Sequence, residues 1–407
     1  MSRRRVEFGC AIVVIGLLAG VAGAATTLLL HTVEHLTYRY DFGTLLTGVE
    51  NSGRWRRALG PMIGGALAGC GWWLLRRRAP VPALSAVLTG ERPVRRLALT
   101  GDAALQVLLV GSGASLGREG APRQLAVAWG DLGTSRWALT PRDREILLAC
   151  AAGAGLGAVY SVPLGGALFA TRILLGTWHP RAVGAALITS SLAVAVAAPV
   201  THLEHPLVWP AAQLSPLFAL LAVAMAPLAL AVGCAFTRVT ATRPAAQPSS
   251  ALVIPAIAAA GLLTGVCSLW LPELPGNGRS VLELSVDSSL TLGAAAAILV
   301  LKPLLSAAFL RAGAVGGLLT PALATGAAAG SVVALAVNAT AGTALHVPAV
   351  SLTCAAGVLA ITQRSPLFAA LFVWELARPP VWLLAVFALA AISAHGLTRL
   401  RRVTAAA

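Results

Sequence analysis

The chain has 407 residues, 57% of them hydrophobic and only 11% charged, with a formal net charge of +15. So little polar surface excludes a soluble globular domain and points to a polytopic membrane protein. The arginines stand in short clusters between apolar runs (Arg3-Arg4-Arg5, Arg76-Arg77-Arg78, Arg92 with Arg95-Arg96, Arg399 with Arg401-Arg402), and Lys302 is the only lysine. The positive charge therefore reads as membrane topology, with both termini expected in the cytoplasm, and not as nucleic-acid binding.

In chain order, Phe8 to Leu30 carries no charge and is long enough to cross about 30 Å of hydrocarbon, too long for the apolar core of a cleaved signal peptide. His31 to Trp55 is polar and aromatic and is expected outside the cell. Leu59 to Leu75 reads as a second span, stopped by the arginine triplet; Pro80 and Pro82 break the chain before a short apolar piece, Ala83 to Leu88. Leu97 to Val110, Ile146 to Val159, Leu164 to Leu175, Ala182 to Val200 and Leu217 to Phe236 are further apolar segments. Tyr160-Ser161-Val162-Pro163 interrupts one of them. Residues 240–251 form the most linker-like stretch, dividing the chain into an N-terminal part, 1–239, and a C-terminal part, 252–407. The six cysteines lie in apolar stretches without metal-like spacing and read as small buried hydrophobes.

The two parts repeat one another. Cys150-Ala151-Ala152-Gly153 returns as Cys354-Ala355-Ala356-Gly357, and the helix opening at Pro163-Leu164 returns at Pro366-Leu367. Gly117 to Pro122 corresponds to Gly316 to Pro321. Short, broken helices in matching places of two repeats point to a binding site at the bilayer midplane.

One stretch carries chemistry: Gly117-Arg118-Glu119-Gly120-Ala121-Pro122, with an arginine and a glutamate deep in an apolar background. Intramembrane charges are expensive and usually face a cavity, a partner or an ion path. Glu119 falls where a new helix begins, and a helix N-terminus attracts anions; a tethered carboxylate can fill that place itself.

This stretch resembles the gating-glutamate motif, glycine-arginine-glutamate-glycine-proline, of the chloride-channel (CLC) family of anion channels and proton-coupled exchangers, with Ala121 inserted before the proline. Gly317-Leu318-Leu319-Thr320-Pro321 resembles the family's second anion-binding loop, with Leu319 in place of a phenylalanine. The resemblance runs from about Leu59 to Arg399. It implies an all-α integral membrane protein of two inverted repeats with many tilted and broken helices, assembled as a homodimer with a separate pathway in each subunit. It assigns the gate to Glu119 and anion contacts to Gly117, Arg118, Gly120, Gly317, Leu318, Leu319 and Thr320. No cofactor, metal, enzymatic activity or regulatory domain is implied.

The departures concern mechanism. The family's first anion loop supplies a serine where this chain has Ala79, and exchangers carry an inner glutamate where this chain has Arg172 and Ile173. No tyrosine follows Val381 to close an inner gate. These differences favour a glutamate-gated chloride or halide channel in the inner membrane over a proton-coupled chloride or fluoride exchanger. A remote alternative rests on His31-Thr32-Val33-Glu34-His35, which matches an inverted zinc-protease pattern and would make the chain a membrane metallohydrolase.

Overall fold

The computed structural model describes residues 3–41, 43–135, 137–201, 207–210, 215–241 and 250–406, with the backbone alone for 3, 4 and 400–406. The chain is helical: α1 Arg3–Tyr38, α2 Leu45–Asn51, α3 Arg54–Arg78, α4 Leu84–Leu88, α5 Arg96–Gly111, α6 Gly120–Thr134, α7 Pro141–Tyr160, α8 Pro163–Leu168, α9 Pro180–Thr201, α10 Leu217–Ala224, α11 Ala226–Thr240, α12 Val253–Cys267, α13 Arg279–Val286, α14 Leu292–Arg311, α15 Leu319–Ala341, α16 Val347–Gln363, α17 Pro366–Ala377 and α18 Trp382–Ala406. Helix α8 runs on into a π-helical turn, Phe169–Leu174. Among the described residues seven helical segments are long and apolar enough to cross a membrane.

Element order repeats. From α3 to α9 and again from α12 to α18 the chain runs through a helix, a short helix, three longer helices, a short proline-started helix and a final long one. Most of the linker-like stretch, residues 242–249, lies outside the described residues.

Three expectations need adjustment. Helix α1 does not stop near Leu30 but continues to Tyr38, because Leu30, Val33, Glu34 and Tyr38 recur at helical spacing and are all buried. Its last residue is anchored, the Tyr38 hydroxyl donating to the Ser112 carbonyl at 3.3 Å. The polar letters of this stretch hide a buried stripe. Leu217 to Phe236 is two helices, parted at Met225, with Pro227 opening the second. The apolar run from Leu164 is likewise not one α-helix but α8 followed by the wider turn.

Small residues let the helices approach closely. A Cβ on Gly153 or Gly157 of α7 would strike the backbone or side chains of α8, Val162 or Ser190, and one on Gly261 or Gly265 of α12 would meet the α3 backbone. At one end of the bundle Asp131 of α6 accepts from Arg96 at the start of α5 (2.7 Å) and from Arg144 of α7, fixing three helices together. Deeper, Trp72 donates to Asp102 (2.7 Å), and Gln106 donates to Asp102 (2.8 Å) and Gln124 (3.0 Å), seating α6 against α5.

Candidate functional site

Two loops, one after α5 and one after α14, meet head to head. Gly117 donates to Gly317 at 2.8 Å and Gly317 returns the bond at 2.9 Å, in antiparallel sense. Side chains of α14 hold the pair from behind. Ser306 donates to the Ser115 carbonyl at 2.6 Å, and the buried Lys302 Nζ donates to Leu274 (2.8 Å) and Gly276 (2.7 Å), whose own N–H reaches Gly113. Each partner is a backbone carbonyl, so the Lys302 side chain serves here as a clamp on loop groups.

Glu119 caps the start of α6 and is 1% exposed. Its carboxylate does not cap its own helix but turns across the loop pair to the first turn of α15. Oε1 accepts from the Leu319 N–H at 2.6 Å, and Oε2 accepts from the Thr320 hydroxyl and the Tyr160 hydroxyl, both at 3.2 Å. The Tyr160 and Thr320 oxygens are 3.4 Å apart. An amide, two hydroxyls and the positive end of a helix dipole thus converge on one negative group. All are donors, so the same seat suits a small anion once the carboxylate moves away.

The structure brings Gly117, Glu119, Gly317, Leu319 and Thr320 together; Leu318 precedes the first turn of α15 as its N-cap. Gly120 begins α6, with its α-carbon against Gln106. The Arg118 guanidinium donates to the Val159 carbonyl at 3.3 Å and lies 5.2 Å over the Tyr160 ring, holding that ring in place. Arg118 also lines a cavity of about 370 Å³ with His31, Glu34, His35, Arg279 and Glu283, while a second cavity of about 270 Å³ reaches Tyr160 and shares Arg279.

Ala79, Arg172 and Ile173 lie apart from the carboxylate. Ala79 ends α3, its N–H donating to Leu75 at 2.8 Å. Ile173 packs against the apolar cluster that holds Phe169, Phe368 and Phe372, and Arg172 lies 4.6 Å over Trp178, a ring 54% exposed. Glu375 caps α8, accepting from Leu164 (2.9 Å) and Gly165 (2.6 Å). His35 stacks on Tyr40 at 4.3 Å, and among the described residues no group of three His, Cys, Asp or Glu side chains is placed to hold a metal ion.

Tyr160 was not among the sequence candidates. Its signal was its place, immediately before the break at Ser161-Val162-Pro163 and hence at a helix end.

A family model described as "Voltage gated chloride channel" matches residues 64–399. The voltage-gated ClC-type chloride channel ClcB of Escherichia coli O17:K52:H18 (strain UMN026 / ExPEC) is 30% identical over 388 residues, covering 89% of each chain. Among solved structures, a slow cyanobacterial Cl⁻/H⁺ antiporter superposes with a TM-score of 0.76 at 19% identity, covering 96% of this chain and 95% of that one. A CLC-type fluoride/proton antiporter gives 0.69 at 18%, with 97% and 96% covered. At such identities the structures speak for the fold, an all-α multi-span architecture of tilted and broken helices.

Proposed function

The chain belongs to the voltage-gated chloride channel family, and we propose that it carries chloride or a similar halide passively across the bacterial inner membrane through a pathway gated by Glu119. The observation that supports this reading is the seat. A buried carboxylate occupies three converging donors at a helix N-terminus, where it mimics the anion it excludes. When the carboxylate takes a proton or swings out, the Leu319 N–H and the Thr320 and Tyr160 hydroxyls are released to a halide. None of these donors carries a full charge that would trap the ion. Passive movement is favoured because the segment from Pro163 to Leu174 carries no carboxylate, and Arg172 faces Trp178 at the basic end of the bundle. One chain supplies every donor of the seat, so in a homodimer each subunit works through its own pathway.

The test is flux from proteoliposomes loaded with chloride, then with fluoride, under an imposed anion gradient. Anion efflux without net proton movement is expected, with Glu119→Gln raising the flux and flattening its pH dependence. Protons driven uphill by the anion gradient would overturn passive conduction and make the protein an exchanger.

A further inference from the structure

Arg123 lies one helical turn along α6 from Glu119, at i+4 and so on the same face. An arginine inside a membrane-spanning bundle is costly unless its donors are used. Arg123 uses none of them on the protein. Among the described residues it makes no hydrogen bond or ion pair, and its Nε is buried without an acceptor. It has instead an aromatic floor, the guanidinium carbon lying 5.1 Å over the Phe169 ring. The carboxylate whose charge acts on it is that of Glu119.

The floor and the seat belong to one wall. Phe169 packs on Phe368 (5.8 Å between centroids), Phe368 on Phe372 (5.3 Å), and Phe372 edge-on to Tyr160 (5.7 Å), the ring that donates to Glu119. Arg123 is not sealed in, since part of its side chain stays accessible. A fixed cation with idle donors, partly exposed and one turn from an anion seat, is built for a transient partner.

The geometry points to a second halide site at Arg123, in which the guanidinium donates to a small monovalent anion from above the Phe169 ring. This rests on the reading of Glu119 as the gate. A full positive charge would ordinarily hold a halide too tightly to conduct it. Here carboxylate and halide compete for one cation. With Glu119 ionised its charge offsets Arg123 and the halide leaves; with Glu119 protonated, Arg123 is uncompensated and holds it.

The experiment is calorimetric titration of chloride and bromide into the purified, detergent-solubilised protein. The comparison is Glu119→Gln alone against the same variant carrying Arg123→Gln or Arg123→Lys, each first shown to be monodisperse. Loss of a charge-assisted donor pair should weaken halide binding by about tenfold or more in Arg123→Gln, with Arg123→Lys recovering part of it. Halide affinity unchanged by either substitution would overturn the site and leave Arg123 as a counter-charge for Glu119 only. Should Arg123→Gln not fold, the lysine variant decides, because it keeps the charge and loses the planar fork: unaltered affinity and chloride/bromide preference count against the site. Wild-type flux reads the transport assignment separately. Flux with unchanged binding discards the site alone, and lost binding in a protein that moves no halide keeps the site and discards transport.

Discussion

Two glycines govern how far the Glu119 carboxylate can reach. A Cβ built on Gly317 would lie on the carboxyl carbon, and one on Gly117 would lie on the carboxylate oxygens. Gly317→Ala therefore has to push the side chain off its seat without touching Leu319, Thr320 or Tyr160. Chloride flux at neutral pH should rise toward that of Glu119→Gln, whereas Gly184→Ala, whose Cβ meets open space on α9, should leave flux unchanged. Flux in Gly317→Ala that stays as low and as pH-dependent as wild type would mean the seat is not what closes the pathway. The residues of the seat that the sequence disclosed are those placed by helix starts: glycine, proline and a lone intramembrane charge mark them. Tyr160 was marked only by the helix break that follows it, and Arg123 by nothing that sets it apart from the other arginines. The contact of Tyr160 depends on where α7 ends, 41 residues along the chain from Glu119. Arg123 stands in an ordinary arginine position until α6 is docked over Phe169.

Short helices need help at their ends, and the help comes from the other repeat. Helix α8 has six residues, opens on Pro163 and has no side-chain cap of its own. Glu375, from α17, supplies one through two backbone N–H groups at 2.9 and 2.6 Å. Both bonds are to side-chain oxygens in a buried place, so Glu375→Gln should cost about 2 kcal/mol of stability. Thermal unfolding of the purified protein reads this as a lowered midpoint. An unchanged midpoint would show that the proline start and the packing of α8 suffice. The position matching Glu375 in the first repeat is Arg172, which faces Trp178 instead, so the support runs one way only. Proline and glycine made the broken helices legible in the sequence. The π-helical turn was not legible, because Phe169 to Leu174 contains nothing that separates a wider turn from an α-helical one. The length of α1 was obscured for the opposite reason, its polar residues masking a buried stripe.

Most arginines of the molecule gather at one end, although Arg39, Arg54, Arg56 and Arg57 stand at the other, past the end of α1 and in the first turn of α3. Arg76 to Arg78 close α3, Arg96 opens α5, Arg142 and Arg144 open α7, and Arg181 opens α9, where it pairs with Asp143 at 2.8 Å. The same end receives the start of α1, since Arg181 also lies 4.1 Å over Phe8. The other end carries the cavity lined by Glu34, Asp41, Arg279 and Glu283, where acids balance the base. We propose that the arginine end faces the cytoplasm, with both termini there and Tyr40 outside. The reason is that the membrane potential and anionic lipid hold the larger share of the arginines on that side, while the loops that carry fewer of them cross. A fluorescent protein fused after Ala407 should then fluoresce, and alkaline phosphatase fused at the same point should be inactive, whereas phosphatase inserted after Gly53 should be active. Active phosphatase at the C-terminus would reverse the assignment. The cavity that reaches Arg118 would then open to the cytoplasm, and the carboxylate of Glu119 would be guarding the inner approach to the seat.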